Sequence, residues 1–174
     1  MPIVAKNDVP AVQTLREREV GHALQQVHYP NMIDCLSVTG YIGGASGLLG
    51  THISPGEDDG ELTETLRLLA MAGGRACTGW RGVGNFTRHV ANTRVPRWKS
   101  RSRIIQALRE AVGTSAQTKT CDTTSLYAGG GYGLGYTIVV SADQQGVEVG
   151  YRLSGNRHLN SPLTVLAENR FRRA

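Results

Sequence analysis

Glycine is abundant and unevenly placed in this chain, and that constrains the fold more than any other feature. Of 174 residues 22 are glycine. Seventeen of these fall in three clumps: seven in residues 40–60, five in 73–84 and five in 129–135. No Gly-X-Y period runs through them, which excludes a collagen-like helix. Clumped glycine interrupts long helices and marks turns, bulges and places where backbone approaches another group closely. With 40% hydrophobic and 19% charged residues, a chain of this length buries a core of its own without disulfide or zinc. Its length predicts a single domain over 1–174.

Hydrophobic spacing between the clumps predicts the elements. Val12, Leu15, Val20, Ala23, Leu24 and Val27 recur at near-helical intervals and predict an N-terminal helical segment within residues 1–30, closed by Pro30. Residues 35–42 alternate and are rich in β-branched and aromatic types, which predicts a strand. A glycine-rich turn leads to a second strand, Leu48 to Ser54, stopped by Pro55-Gly56. Leu62, Leu66, Leu69 and Ala70 share one face of a helix over about 59–72, ended by Gly73-Gly74. A strand follows at 77–83, then a helix from Ser100 or Ser102 to Val112 and a short strand at 118–124. Residues 129–135 form a bend, and 136–141 with 147–153 form a hairpin around Asp143-Gln144-Gln145-Gly146. Residues 162–172 make a final helix or an extended tail. Adjacent strand pairs between helices predict an α+β fold, a mixed β-sandwich with flanking helices, and not a doubly wound sheet.

Charge is segregated. Glu57, Asp58, Asp59, Glu61 and Glu64 form an acidic cluster, whereas residues 65–109 hold ten Lys or Arg and no acidic residue. Residues 160–174 add a basic tail with Arg170, Arg172 and Arg173. A stripe of this kind at 75–109 suits an acidic partner; the structural alternatives are a solvated face for the basic residues and a helix N-terminus for the acids. Trp80, Phe86 and Trp98 interleave with it, so a non-catalytic module whose basic surface binds nucleic acid or an acidic protein is the second reading. Aromatic residues at only 6%, and no RNA-binding signature, weigh against nucleic acid. No stretch is long and apolar enough to span a membrane. The N-terminus lacks a signal-peptide pattern, so the expected location is a cytoplasm, or an exterior reached without a cleaved signal.

Few residues qualify for chemistry. Cys35, Cys77 and Cys121 share no metal-ligand spacing, so no metal is expected, and a reducing compartment is the default. Gly44-Ala45-Ser46-Gly47-Leu48 falls short of a nucleophile elbow, and no dinucleotide fingerprint, P-loop or zincin motif is present. Cys35, opening one predicted strand, and His52, late in the next, stand out because a tight turn brings such positions side by side. A thiol beside an imidazole is a nucleophile near neutral pH. The turn between them lets a substrate approach and offers main-chain N–H groups to an oxyanion. The structural alternative is a small buried thiol and a hydrogen-bonded core histidine.

The stretch from Cys35 through Ile42-Gly43-Gly44 to Gly50-Thr51-His52-Ile53-Ser54-Pro55 resembles the chemoreceptor glutamine deamidase family CheD, in which the catalytic His stands seventeen residues after the Cys, as here. Through that fold it is also similar to the catalytic domains of cytotoxic necrotizing factor toxins. A second likeness is the segment Gly130-Gly131-Tyr132-Gly133-Leu134-Gly135, followed by the hairpin with Asp143 and Gly146 in its turn. The resemblance covers about residues 33–153. The family places Gly-Ser before its Cys and a catalytic Thr six residues before it; here Ile33-Asp34 and Tyr29 occupy those positions.

The resemblance implies a Cys–His protein-glutamine deamidase acting on a partner protein, either in a bacterial cytoplasm or as a secreted effector or toxin delivered into a target cell. Cys35 would be the nucleophile and His52 the base. Gly43, Gly44 and Thr51 would line the oxyanion and backbone approach. The third role falls to a main-chain carbonyl, to Thr39 or Thr51, or to nothing. No cofactor is called for. Cys77 and Cys121 read as structural.

Overall fold

The structure, a computed structural model, describes residues 2–43, 47–54, 57–86, 101–123, 126, 135–143 and 146–166. Its elements in chain order are β1 (Val4–Ala5), β2 (Val12–Thr14), β3 (Glu19–Ala23), β4 (Gln26–Met32), β5 (Leu36–Tyr41), β6 (Leu48–Ile53), α1 (Asp59–Met71), β7 (Gly79–Gly84), α2 (Arg101–Val112), β8 (Gln117–Asp122), β9 (Tyr136–Asp143), β10 (Gly146–Leu153) and β11 (Thr164–Val165). They form an α+β fold of two helices and two mixed sheets, ordered β1-β3-β6-β5-β7-β8 and β11-β10-β9-β4-β2.

The two sides of the first sheet meet different partners. Leu36 and Val38 of β5, Leu49 and Ile53 of β6 and Trp80 of β7 pack with Leu62, Leu66 and Leu69 of α1 and Ile104, Leu108 and Val112 of α2. Alternate positions, Tyr41 and Leu48 with Val83, pack instead with Val27, Tyr29, Ile138, Val140 and Val149 of the second sheet. The period of two along each strand therefore builds one core against helices and another against strands. α1 starts at a reciprocal capping box. The Asp58 carboxylate accepts from the Glu61 N–H at 2.8 Å, and the Glu61 carboxylate accepts from the Asp58 N–H at 2.9 Å.

The expected N-terminal helix is corrected: residues 12–32 form β2, β3 and β4, and no helix. Short strands broken by turns at 16–18 and 24–25 imitate helical spacing when their apolar positions are pooled. The burial pattern shows the true period, with Gln13 and Leu15, then Val27 and Tyr29, buried two apart. At the other end, β11 stands where a final helix or extended tail was expected; residues 167–174, with the basic tail's arginines, lie outside the described residues. So do 129–134 of the glycine-rich bend and 87–100 of the basic stripe. The β5–β6 and β9–β10 hairpins fall where the alternation places them.

Candidate functional site

Cys35 stands one residue before β5, and His52 is the penultimate residue of β6. The antiparallel register sets Ser37 opposite His52, so Cys35, two residues earlier on the same face, is its diagonal neighbour. Both are almost fully buried, at 4% and 1% exposure. A third residue joins them. Glu17, exposed in the turn between β2 and β3, accepts a hydrogen bond from the Cys35 thiol at 3.2 Å. A carboxylate oxygen of Glu17, the Cys35 sulfur and a ring nitrogen of His52 all lie within 4.8 Å of one another.

The turn that carries Glu17 is tied to the histidine's own strand. The Arg18 N–H donates to the His52 carbonyl at 2.8 Å, with Arg18 in the left-handed region at φ 65°. The Glu19 N–H donates to the Arg16 carbonyl at 3.1 Å. The Arg18 guanidinium reaches α1 and pairs with Glu61 at 3.1 Å. Leu15, just before the turn, receives the His52 ring: Nδ1 and the Leu15 carbonyl are 3.0 Å apart. A carbonyl only accepts, so Nδ1 carries the proton, and in the neutral ring the lone pair sits on Nε2. Nε2 is buried and has no hydrogen-bond partner. Burial lowers the His52 pKa, against the opposing pull of the Leu15 carbonyl and the charges of Glu17 and Glu19.

Glycine and tyrosine shape the inner wall. Tyr29 lies edge-on to the His52 ring, with centroids 5.9 Å apart and planes at 85°. A Cβ on Gly50 would overlap the Tyr29 hydroxyl, so only glycine at 50 lets that ring reach the histidine. Gly84 of β7 does the same for the thiol's backbone, because a Cβ there would stand 2.7 Å from the Cys35 carbonyl oxygen.

The other expected site residues lie elsewhere. Thr39 shares a 2.7 Å hydrogen bond with the Tyr29 hydroxyl. Thr51, on the opposite face of β6 from His52, donates to the Glu19 carbonyl at 3.0 Å. The main-chain carbonyl on the histidine is that of Leu15. Gly43 sits beyond the far end of β5; at roughly 3.3 Å per residue it is about 25 Å along the strand from Cys35. It cannot offer an N–H to an oxyanion there, and Gly44 lies outside the described residues. Glu17 was missed because residues 12–27 read as one helix, on which a charged residue between Arg16 and Arg18 looks like part of a solvated face. Of the two other thiols, Cys77 is buried against Trp80 in the helix-side core, and burial pushes its pKa up to about 12.

Two of the three aromatic residues of the nucleic-acid reading are buried and offer no stacking face. Trp80 and Phe86 are buried, at 0% and 7% exposure, and Trp98 lies outside the described residues. No described helix is long and apolar enough to cross a membrane. No family model, no curated protein and no solved structure matches the chain.

Proposed function

We propose that this protein is a cysteine-dependent amidohydrolase whose substrate is a carboxamide, the side chain of glutamine in a partner protein. The observation that carries this reading is the convergence of the Cys35 thiol and a buried His52, its Nδ1 held by the Leu15 carbonyl, with the Glu17 carboxylate. The likeness to glutamine deamidases in the spacing of Cys35 and His52 supports the choice of substrate. A CheD-like or cytotoxic necrotizing factor-like version of the α+β fold, and a role as a bacterial effector, are parts of the same proposal.

In this mechanism Nε2 of His52 takes the thiol proton, and the imidazolium is stabilised by Glu17 and Glu19. The Cys35 sulfur attacks the amide carbon and the carbonyl oxygen becomes an oxyanion, held by main-chain N–H groups near Cys35. The C–N bond breaks as His52 returns its proton to the leaving nitrogen, which departs as ammonia. His52 then deprotonates a water, which attacks the thioester carbon. The carboxylic acid and the free thiol are released.

The test is mass spectrometry of a glutamine-peptide library incubated with the full chain. The expected result is conversion of glutamine to glutamate that vanishes in Cys35→Ser. Conversion that persists in the variant overturns the nucleophile. A library that stays unconverted, while Cys35 reacts with alkylating agents in a His52-dependent way, overturns the substrate.

A further inference from the structure

We propose that Glu17, Cys35 and His52 bind one borderline-soft divalent cation, with Zn²⁺ the best chemical fit, and that this ion competes with substrate for the same thiol. The binding stands on the donors alone; the consequence for activity rests on the hydrolase reading.

Three donors of different types converge within 4.8 Å, and two of them are buried. The second, independent observation is the Nε2 of His52, enclosed and without a hydrogen-bond partner. A buried polar atom left unpaired is costly, and a ligand that uses its lone pair removes the cost. The Leu15 carbonyl holds Nδ1–H at 3.0 Å, the outer contact that orients a metal-bound imidazole and leaves Nε2 to the metal.

The donor set selects the ion. Sulfur and imidazole favour zinc over magnesium or calcium, which prefer oxygen throughout. Thiolate and carboxylate together cancel a dication, so the loaded centre is neutral where burial penalises net charge. Zinc bonds of about 2.0–2.3 Å set tetrahedral ligands roughly 3.3–3.8 Å apart, so donors within 4.8 Å of one another must close by about 1.5 Å at most. Glu17 and the Cys35 sulfur are already 3.2 Å apart, so the closing falls on the pairs with His52: the exposed Glu17 side chain swings toward the ring, and the buried Cys35 and His52 side chains adjust in place. Three protein ligands leave a fourth position for water. On binding, the Cys35 S–H bond breaks and its proton goes to solvent, while sulfur forms the bond to the ion; no electron is transferred. The sulfur and Nε2 lone pairs are then both in use, and the pair that would attack an amide is idle.

The experiment titrates the full chain with Co²⁺, a spectroscopic stand-in for Zn²⁺, after treatment with chelator. The expected result is one ion per chain, with a near-ultraviolet sulfur-to-cobalt charge-transfer band and the intense visible bands of a tetrahedral ion. Zn²⁺ bleaches both. Cys77→Ser and Cys121→Ser keep the bands, Cys35→Ser loses the charge-transfer band, and Glu17→Gln, altered at an exposed position, weakens binding at least tenfold. Absent bands, a band that survives Cys35→Ser, or unchanged affinity in Glu17→Gln overturns the site, and the last variant decides even if Cys35→Ser fails to fold. Alkylation of Cys35 in excess chelator separates the two readings. His52-dependent alkylation without cobalt bands overturns the cation site alone. Cobalt bands without that dependence overturn the hydrolase alone. Where both hold, Zn²⁺ protects Cys35 from the alkylating agent.

Discussion

His52 shows how one backbone contact decides what a side chain can do. With Nδ1–H held by the Leu15 carbonyl, the ring presents a lone pair at Nε2 and its acid–base role has a direction. Cys35 and His52 were legible because strand alternation and a tight turn fix a pair of positions. Glu17 was not, because its place depends on a turn stitched to β6 by the Arg18 N–H and on no local pattern. Glu17→Gln keeps an acceptor for the thiol but loses the charge that steadies the imidazolium. Turnover should fall about tenfold, equal to about 1.4 kcal/mol in the barrier, as measured by ammonia release; an unchanged rate contradicts the role. Glu57 offers a pH test outside the catalytic trio. It is 2% exposed and accepts from the Ser54 N–H and the Thr65 hydroxyl, each at 3.2 Å. Burial pushes its carboxyl above the ordinary range, against the pull of those two bonds and Arg18, while Glu61 adds to the rise. The folded state therefore holds the proton more tightly than the unfolded chain. The stability this gives is full below the unfolded pKa and is lost as pH rises through the folded value. Glu57→Gln cannot ionise, so in urea denaturation it should gain on the wild type as pH rises through that window. A constant difference across it contradicts the assignment.

At the scale of elements, the β5–β6 hairpin is the part of the molecule that makes the site, and glycine makes the hairpin usable. Gly50 admits the Tyr29 hydroxyl beneath β6. Gly50→Ala should cost about 1–3 kcal/mol by overpacking and should lower Cys35 reactivity with it, since Tyr29 also packs on His52. Full reactivity in a destabilised variant would separate the two effects and contradict the coupling. α1 depends on its cap: Asp58→Ala should cost about 1 kcal/mol in chemical denaturation, and no loss would contradict the capping geometry. Its helix was legible because Leu62, Leu66 and Leu69 keep a strict face and the capping box is local in sequence. The N-terminal strands were not. β3 finds its partner in β6 and β4 finds β9, pairings that no short window of sequence contains.

Across the whole molecule, some charges far apart in sequence are brought together by folding. Arg103 of α2 bonds the Asp59 carboxylate at the start of α1 at 3.0 Å, and Arg101 pairs with Asp122 at 3.4 Å, whereas Arg67 pairs within α1 with Glu64 at 2.6 Å. Arg81 is buried on β7, where burial draws its pKa down to about 10. Among the described residues of the basic stripe, Arg103 thus pairs with the acidic cluster and Arg101 with an acid outside it. Linear charge counting had no means of showing these pairs. The α+β class was legible from the order of elements; the split into one core beneath helices and another between sheets was not, because it depends on which strand face meets which layer. The proposed function requires that Cys35 be a nucleophile made reactive by His52. The direct measurement is iodoacetamide labelling of the native chain in excess chelator, with the rate at each cysteine read by mass spectrometry. Cys35 should be labelled, Cys77 should stay unmodified, and His52→Ala should slow Cys35 at least about tenfold while leaving Cys121 unchanged. A Cys35 rate that is the same with and without His52, or a Cys35 that stays unlabelled while Cys121 reacts, would contradict it.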